Sequence, residues 1–320
     1  MTQSYLVPFG LWKLSSILCY WNIALNLVPK GFFVHFQASW NVQFGWAIMI
    51  NDKIESMSTE ILASLGLTLN EILINEELAS DPDCVAYLSG SLVEGYGNSS
   101  SDIDIFVITD KQPSGSMVLN KDNFAISIHY KNERRIDFEF WPERHIYNLS
   151  EKLRVINVGL DFVAEKLSPN DELFIHRLFI GLPLVNQERF DVIKNKFDIQ
   201  KFRGYLTQQA IHRLDGAFED ISGLLADKDW ETLLLRARDI VCIAADAYTY
   251  HSGNTNTLPK WRARILRSLT NKEKCGEVLE DFWRLAFPNA ALLLANPSSV
   301  HDYARDCSIF AEDIVRWIQK

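Results

Sequence analysis

Residues 88–109 read LSGSLVEGYGNSSSDIDIFVIT and carry the strongest structural signal in the chain. The apolar runs CVAYL (84–88) and IDIFVIT (103–109) predict two β-strands, joined by a Gly-Ser turn, a short helix and a polar loop. Asp102 and Asp104 lie two residues apart on the second strand, so their carboxylates project from the same face. Two neighbouring hard oxygen ligands are what a Mg²⁺ ion carrying nucleotide phosphates requires.

Gly90 and Ser91 supply the second half of this pattern. A glycine lets the backbone approach a phosphate closely, and a following serine offers a hydroxyl and a backbone N–H to the phosphate oxygens. We therefore predict that Gly90 and Ser91 bind the phosphates of a nucleotide opposite a metal held by the two aspartates.

Gly90-Ser91, a spacer and Asp102-x-Asp104 on a strand together resemble the signature of the nucleotidyltransferase superfamily of the DNA polymerase β type. The spacing from Ser91 to Asp102 is most similar to the bacterial aminoglycoside adenylyltransferases that modify streptomycin and spectinomycin. The signature covers about twenty of the 320 residues. The resemblance implies a polymerase β-like head with a short mixed sheet, Mg²⁺ as cofactor with two ions, and ATP or another NTP as co-substrate.

A third acid is expected on the next strand pair, FAISIHY (124–130) and RRIDFEFW (134–141), because this chemistry needs a further carboxylate for a second metal and for the attacking hydroxyl. The resemblance places that acid on this hairpin. Asp137 is the preferred residue, and Glu139, which shares its face, is the alternative. A salt bridge from Asp137 to Arg134 or Arg135 also stays open.

Beyond residue 142 the pattern becomes helical, with apolar residues at spacings of three and four. The chain is therefore predicted to be α+β: an atypical extension at residues 1–56, a nucleotidyltransferase domain at 57–145, and an all-α helical bundle at 146–320 that binds the acceptor.

Two features of the predicted bundle could contribute to the site. Lys260, with Arg262 and Arg264, could reach the β- and γ-phosphates, and Trp261 could stack on a base or pack in the core. Asp239 and Asp246 share one helix stripe, for which a solvated face is the simpler interpretation and an acidic wall holding a cationic acceptor is the alternative. Glu94 is interpreted only as an acid that suits a helix N-terminus.

Charge and cysteine content limit the partners. The net charge of −9 at pH 7 argues against binding duplex DNA, whereas an NTP and a small hydroxylated acceptor, cationic or not, are compatible with it; an RNA end stays open as acceptor. The five cysteines show no CxxC spacing, which indicates neither a zinc site nor a disulfide framework and favours the reducing cytoplasm.

The first 51 residues contain no Asp or Glu, although the chain has 41, and they hold four of its nine Trp. The apolar run at residues 14–28 is shorter than the roughly 18 residues that a membrane span needs and contains two Asn, so membrane association is not expected. One interpretation is a mis-assigned start, with Met57 as the true first residue. The alternatives are a signal peptide, a membrane anchor and a packed extension of the domain.

The sequence therefore predicts an enzyme of the nucleotidyltransferase type. The alternatives are transfer to RNA or to a protein side chain, and, from a different class, a non-catalytic NTP sensor or an antitoxin-type partner. Three intact carboxylates favour the enzyme, because a protein that only binds nucleotide has no need of them.

Overall fold

The computed structural model describes residues 57–73, 83–111, 113, 117–158, 167–269 and 275–320. The predictions for residues 1–56 fall outside the described residues. Residues Asn51–Lys320 form one compact unit. Among the described residues, no helix combines the length and hydropathy that crossing a membrane demands.

The described strands form one six-stranded sheet in the order β3–β4–β5–β2–β1–β6. Strands β2 and β5 are parallel, and every other pair of neighbours is antiparallel. The strands are β1 (Val85–Ser89), β2 (Ile103–Ile108), β3 (Val118–Asn120), β4 (Ala125–Lys131), β5 (Arg134–Trp141) and β6 (Leu182–Val185).

Helices account for most of the rest of the unit. A helical segment at residues 57–64 precedes α1. The helices are α1 (Leu69–Leu73), α2 (Glu143–Val155), α3 (Pro169–Ile180), α4 (Gln187–Lys194), α5 (Ile199–Asp227), α6 (Trp230–His251), α7 (Arg262–Ser268), α8 (Cys275–Ala286), α9 (Ala290–Leu294) and α10 (Pro297–Ile318). The predicted α+β class, a mixed sheet followed by a helical bundle, is confirmed.

Local sequence explains where several of these elements begin and turn. The side chains of Ser168, Asp198 and Asp229 accept backbone hydrogen bonds at the N-termini of α3, α5 and α6. Asn132 and Glu133 both have positive φ values, of 50° and 63°, which is the geometry of a two-residue hairpin between β4 and β5.

Strand β6 was not predicted. It lies beyond residue 146, in the part expected to be all helical, and it pairs with β1 as an edge strand of the sheet. Its four residues, LPLV, are too few to show an alternating pattern, and Pro183 is tolerated because an edge strand need not donate on both sides. Strand β3, of three residues, was missed for the same reason.

The two faces of the sheet pack against different layers. One face, which includes Ile103, Ile105 and Phe138, is buried against the helical segment 57–64 and α1. The opposite face, which includes Tyr87 and Phe106, joins the core of the helical bundle. Because side chains alternate along a strand, Asp102 and Asp104 fall on the bundle-facing side with Phe106.

Candidate active site

The chain leaves β1 through a tight turn at residues 90–97, here called the glycine turn. Backbone N–H groups of residues 94–97 donate to the carbonyls of residues 90–92 at 2.8 to 3.2 Å. The predicted short helix is wrong, since no residue between β1 and β2 is helical and residues 91–95 form turns. Three glycines within the turn disfavour helix. Ser91, the second predicted phosphate-binding residue, is buried at 8% exposure.

Gly90 is required by its neighbour as well as by its backbone. Its φ of +88° is a conformation that residues with side chains rarely adopt. A Cβ placed on Gly90 would lie 1.9 Å from Oδ2 of Asp104, far inside van der Waals contact. The Asp104 carboxylate therefore occupies the space that any other residue at position 90 would fill.

The predicted acids lie on two adjacent parallel strands. Asp104 on β2 is the register partner of Asp137 on β5, and Asp102 precedes Asp104 by two residues on the same face. Neighbouring strands are about 4.8 Å apart, so the three carboxylates are close neighbours at one end of the sheet. Asp102 and Asp104 are half-buried, and Asp137 is buried at 8% exposure.

Glu139, the alternative third acid, lies one step deeper along β5. Its register partner is Phe106, and the indole Nε1–H of Trp141 donates to Glu139 Oε2 at 3.2 Å. Burial raises the pKa of the Glu139 carboxyl to about 7. The register thus places Asp137, and not Glu139, directly beside Asp104.

Electrostatics confirm that the acids affect one another. The pKa of the Asp104 carboxyl is raised to about 6, chiefly by burial; Arg177 opposes the rise, and Asp102 and Asp137 add to it. Burial also raises the pKa of Asp137, although Arg135 works in the opposite direction. Such mutual repulsion between carboxylates is what a bound divalent cation would relieve.

Whether these residues fit Mg²⁺ depends on Asp137. Three carboxylates on one face are the donor chemistry that Mg²⁺ prefers, and the space left by Gly90 seats one of them. However, both oxygens of Asp137 accept hydrogen bonds from Arg135, at 2.6 Å each. Among the described residues, no group of three or more His, Cys, Asp or Glu is arranged to hold a metal ion. The donor set fits, provided that Arg135 releases Asp137.

The loop before Asp102 is held by the neighbouring arginine. Arg134 donates from Nη1 to the carbonyl of Ser101 at 2.7 Å and from Nη2 to the carbonyl of Ser99 at 2.9 Å. Asn98 and Ser101 bond to each other's backbone and side-chain atoms within the loop. The two arginines that open β5 therefore have different functions, one at the loop and one at Asp137.

A segment of the bundle packs against the glycine turn. The ring of Trp261 lies 5.4 Å from the ring of Tyr96, and Arg264 Nη1 donates to the carbonyl of Tyr96 at 2.7 Å. Lys260 is exposed beside them, with Nζ 5.0 Å from the Trp261 ring. Burial raises the pKa of Asp104, and the positive charge of Lys260 is one of the influences that oppose the rise.

Two other residues that the sequence singled out pair with each other. Arg262 donates to both oxygens of Asp246, at 2.7 and 2.9 Å, and joins α7 to α6. Neither residue is therefore free for a phosphate or a cationic acceptor. Asp239 lies 4.0 Å from Arg236, which itself pairs with Asp220 at 2.7 Å. Asp239, whose side chain is 57% exposed, agrees with the solvated-face interpretation, whereas Asp246, at 16%, belongs to a largely buried ion pair that neither interpretation predicted.

Glu94 was misjudged from the sequence. Its side chain is 7% exposed, and its carboxylate lies 3.2 Å from His176 Nε2 and 3.6 Å from Arg177 Nη1. Asn256 Nδ2 donates to both carboxylate oxygens, at 2.9 and 3.0 Å. Burial opposes ionisation, but His176, Asn256 and Arg177 together lower the pKa of Glu94. Glu94 thus connects the glycine turn to α3 and to the loop after α6.

Arg177 is a second residue that sequence reasoning missed. It is buried at 6% exposure on α3, and its carbonyl accepts a hydrogen bond from Ser89 Oγ at 2.9 Å. Its charge lowers the pKa of Asp104 and of Glu139, so it lies between Glu94 and the acids. An amphipathic pattern predicts only that such a residue is on a helix, and its burial depends on the sheet above it.

A cavity of about 370 Å³ lies at the other end of the sheet. Its lining includes Lys111, Lys121, Phe124, Arg144 and His145, and none of the three acids contributes to it. This cavity is therefore separate from the candidate active site.

This chain has little similarity to known proteins at the level of sequence. No protein-family model matches the chain, and no curated protein matches it. A crystal structure of a nucleotidyltransferase-like protein from Exiguobacterium sibiricum is similar to this chain at 12% identity and a TM-score of 0.42, over 76% of this chain and 73% of that one.

Burial of Glu139 predicts that the free energy of unfolding depends on pH. The folded protein keeps the Glu139 proton up to about pH 7, whereas the unfolded chain releases it near the ordinary value of 4.5. The stability from this group is fully present below that ordinary value and is lost as the pH rises through 7. At pH 8, Glu139→Gln should raise the free energy of unfolding by about 1–3 kcal/mol.

Urea unfolding of wild type and Glu139→Gln between pH 4.5 and 8 tests this expectation. The exposed Glu219→Gln on α5 serves as the matched control and should follow the wild-type curve. Parallel curves for wild type and Glu139→Gln across the whole range would show that Glu139 ionises as easily in the folded protein as in the unfolded chain.

Proposed function

We propose that the protein is a Mg²⁺-dependent nucleotidyltransferase that moves a nucleoside monophosphate, AMP by the resemblance, from ATP or another NTP to a hydroxyl of a small acceptor. The observation that supports this most is the register of β2 and β5, which aligns Asp104 with Asp137 beside Asp102 and Gly90. An α+β fold alone would not imply this chemistry.

In the proposed reaction, Gly90 and Ser91 bind the triphosphate through the backbone and the serine hydroxyl. Asp102, Asp104 and Asp137 would hold two Mg²⁺ ions, which when bound supply charge neutralisation and orient the phosphates. The acceptor oxygen bonds to the α-phosphorus, and its proton passes to Asp137. The bond from the α-phosphorus to the bridging oxygen breaks, and pyrophosphate leaves with the electron pair, stabilised by Lys260.

The acceptor is proposed to be a small hydroxylated molecule. Aminoglycosides belong among the candidates because of the resemblance, but the contacts of Asp246 with Arg262 leave that carboxylate unavailable for a cationic acceptor. The side chains that face the acids from the bundle, Lys260 and Arg177, are basic. A neutral acceptor, or an RNA end, is therefore compatible with the contacts around the site.

The test is transfer of label from α-labelled NTPs in the presence of Mg²⁺, with aminoglycosides, other small alcohols, RNA and proteins as acceptors. Asp102→Asn should lower the rate by at least about 100-fold, because it removes one carboxylate from the metal set. Asp122→Asn, an exposed acid at the other end of the sheet, is the control and should leave the rate unchanged. Equal rates for wild type and Asp102→Asn would contradict the proposal.

One observation favours a second candidate, an NTP-binding protein without transfer: Arg135 engages both oxygens of Asp137. Such a protein would bind NTP but release no pyrophosphate with any acceptor. Measuring pyrophosphate release alongside nucleotide binding distinguishes the two functions.

A further inference from the structure

Arg135 holds the third acid of the candidate site by a two-point contact. Its Nε donates to Oδ1 of Asp137 and its Nη2 donates to Oδ2, both at 2.6 Å. The two residues are two apart on β5 and share a face, so the contact forms within one strand. A planar guanidinium matched to both oxygens of a carboxylate is a strong, geometrically specific pairing.

This contact places a positive charge where a divalent cation would otherwise bind. The hydrogen bonds to Asp137 are the main reason that the pKa of the Arg135 guanidinium is raised, and the charge of Asp102 adds to the rise. A metal bound by Asp137 would lie within a few ångströms of the guanidinium, and two like charges at that distance repel strongly. Metal and guanidinium therefore exclude each other at Asp137.

Arg135 is also able to move away. Its side chain is 42% exposed, whereas that of Asp137 is 11% exposed. Arg134 differs, because two backbone carbonyls of the loop before Asp102 hold its guanidinium. Rotation of the Arg135 side chain into solvent would expose both oxygens of Asp137 without moving the backbone of β5.

We propose that Arg135 is a latch that competes with divalent cations for Asp137, so that metal reaches the third acid only when the guanidinium leaves. The proposal deepens the proposed function and rests on it in one respect, that Asp137 is a metal ligand. In the protein without nucleotide, the latch lowers the affinity for a divalent cation below the affinity that three unpaired carboxylates would have.

Binding of Mn²⁺ to the full chain without nucleotide, followed by electron paramagnetic resonance or calorimetry, tests the latch. Arg135→Gln should bind Mn²⁺ about tenfold more tightly than wild type, since the charge-assisted contact with Asp137 is lost. Arg135→Lys keeps the charge but loses the two-point geometry, so its gain should be smaller, about threefold. Adding Asp137→Asn to Arg135→Gln should abolish the gain.

Lys260→Gln is the control for charge alone, because Lys260 acts on Asp104 without contacting Asp137. Equal gains from Lys260→Gln and Arg135→Gln would overturn the latch, and so would unchanged affinity in Arg135→Gln. If circular dichroism shows that Arg135→Gln is unfolded, the Mn²⁺ affinity of Arg135→Lys is compared with wild type and Lys260→Gln instead. These outcomes do not depend on transfer: tighter Mn²⁺ binding through Asp137 with no transfer would contradict the enzyme and keep the latch.

Discussion

Replacing Gly90 with alanine is expected to lower the free energy of unfolding by about 2–6 kcal/mol and to abolish the metal binding proposed for the acids. Two costs add. A residue with a side chain at a φ of +88° carries strain of about 1–3 kcal/mol. The new Cβ would also overlap Asp104, 1.9 Å from its Oδ2, and relieving such overpacking costs about 1–3 kcal/mol. The Asp104 carboxylate must rotate away from its place beside Asp137, its register partner, which changes the donor set proposed for the metal.

Gly95→Ala separates these two costs. Gly95 lies in the same turn at a φ of +71°, but nothing lies within 4 Å of a Cβ added there. This control should show the backbone strain alone, about 1–2 kcal/mol, and keep Mn²⁺ affinity. Urea unfolding and Mn²⁺ titration of both variants give the comparison. If the two variants lose the same stability and both retain Mn²⁺ binding, the close approach of Asp104 to Gly90 is not needed for stability or for metal binding.

Glu94→Ala is expected to cost about 3–5 kcal/mol, because it leaves the buried Arg177 without its carboxylate partner. Asn256 would lose the acceptor for both of its bonds to Glu94. The contacts of Tyr96 with Trp261 and Arg264 would still join the glycine turn to the bundle. We expect nucleotide affinity to fall as well, since the turn proposed to bind phosphate would be less firmly placed.

Glu94→Gln sharpens this test because it keeps the shape and one acceptor oxygen while it removes the charge. Its loss should be smaller than that of Glu94→Ala, about 1–3 kcal/mol. Glu219→Ala, on the exposed side of α5, should stay within about 0.5 kcal/mol of wild type. Thermal and urea unfolding provide the measurements. A Glu94→Ala variant as stable as Glu219→Ala would mean that the buried cluster does not depend on its carboxylate.

The sequence was sufficient for features that depend on neighbouring residues. The apolar runs at 103–109 and 134–141 predicted β2 and β5, and the two-residue spacing predicted a shared face for Asp102 and Asp104. The salt bridge from Asp137 to Arg135 was one of the alternatives, because two residues on one strand face are in contact range. The catalytic and metal-binding roles of the acids, and the binding roles of Gly90, Ser91 and Lys260, stay predictions.

Features that depend on distant parts of the chain could not be predicted. Glu94 is buried because Asn256, 162 residues away, and α3 close over it, and nothing near Glu94 in the sequence signals that. Arg262 and Asp246 were considered separately as ligands, although each satisfies the other's charge. Local patterns report which side chains share a face, whereas pairing of buried charges is decided by the tertiary fold.

The position of β6 has a consequence for dividing this protein. Because β6 follows α3 in the chain yet completes the sheet beside β1, a chimera made by joining the sheet of this protein to another helical partner must carry residues 182–185 with it. Without them, β1 would become an edge strand with unpaired backbone amides and carbonyls. Such an edge can pair with a second molecule and lead to aggregation. The natural seam for exchange therefore follows strand pairing and not the order of elements along the polypeptide.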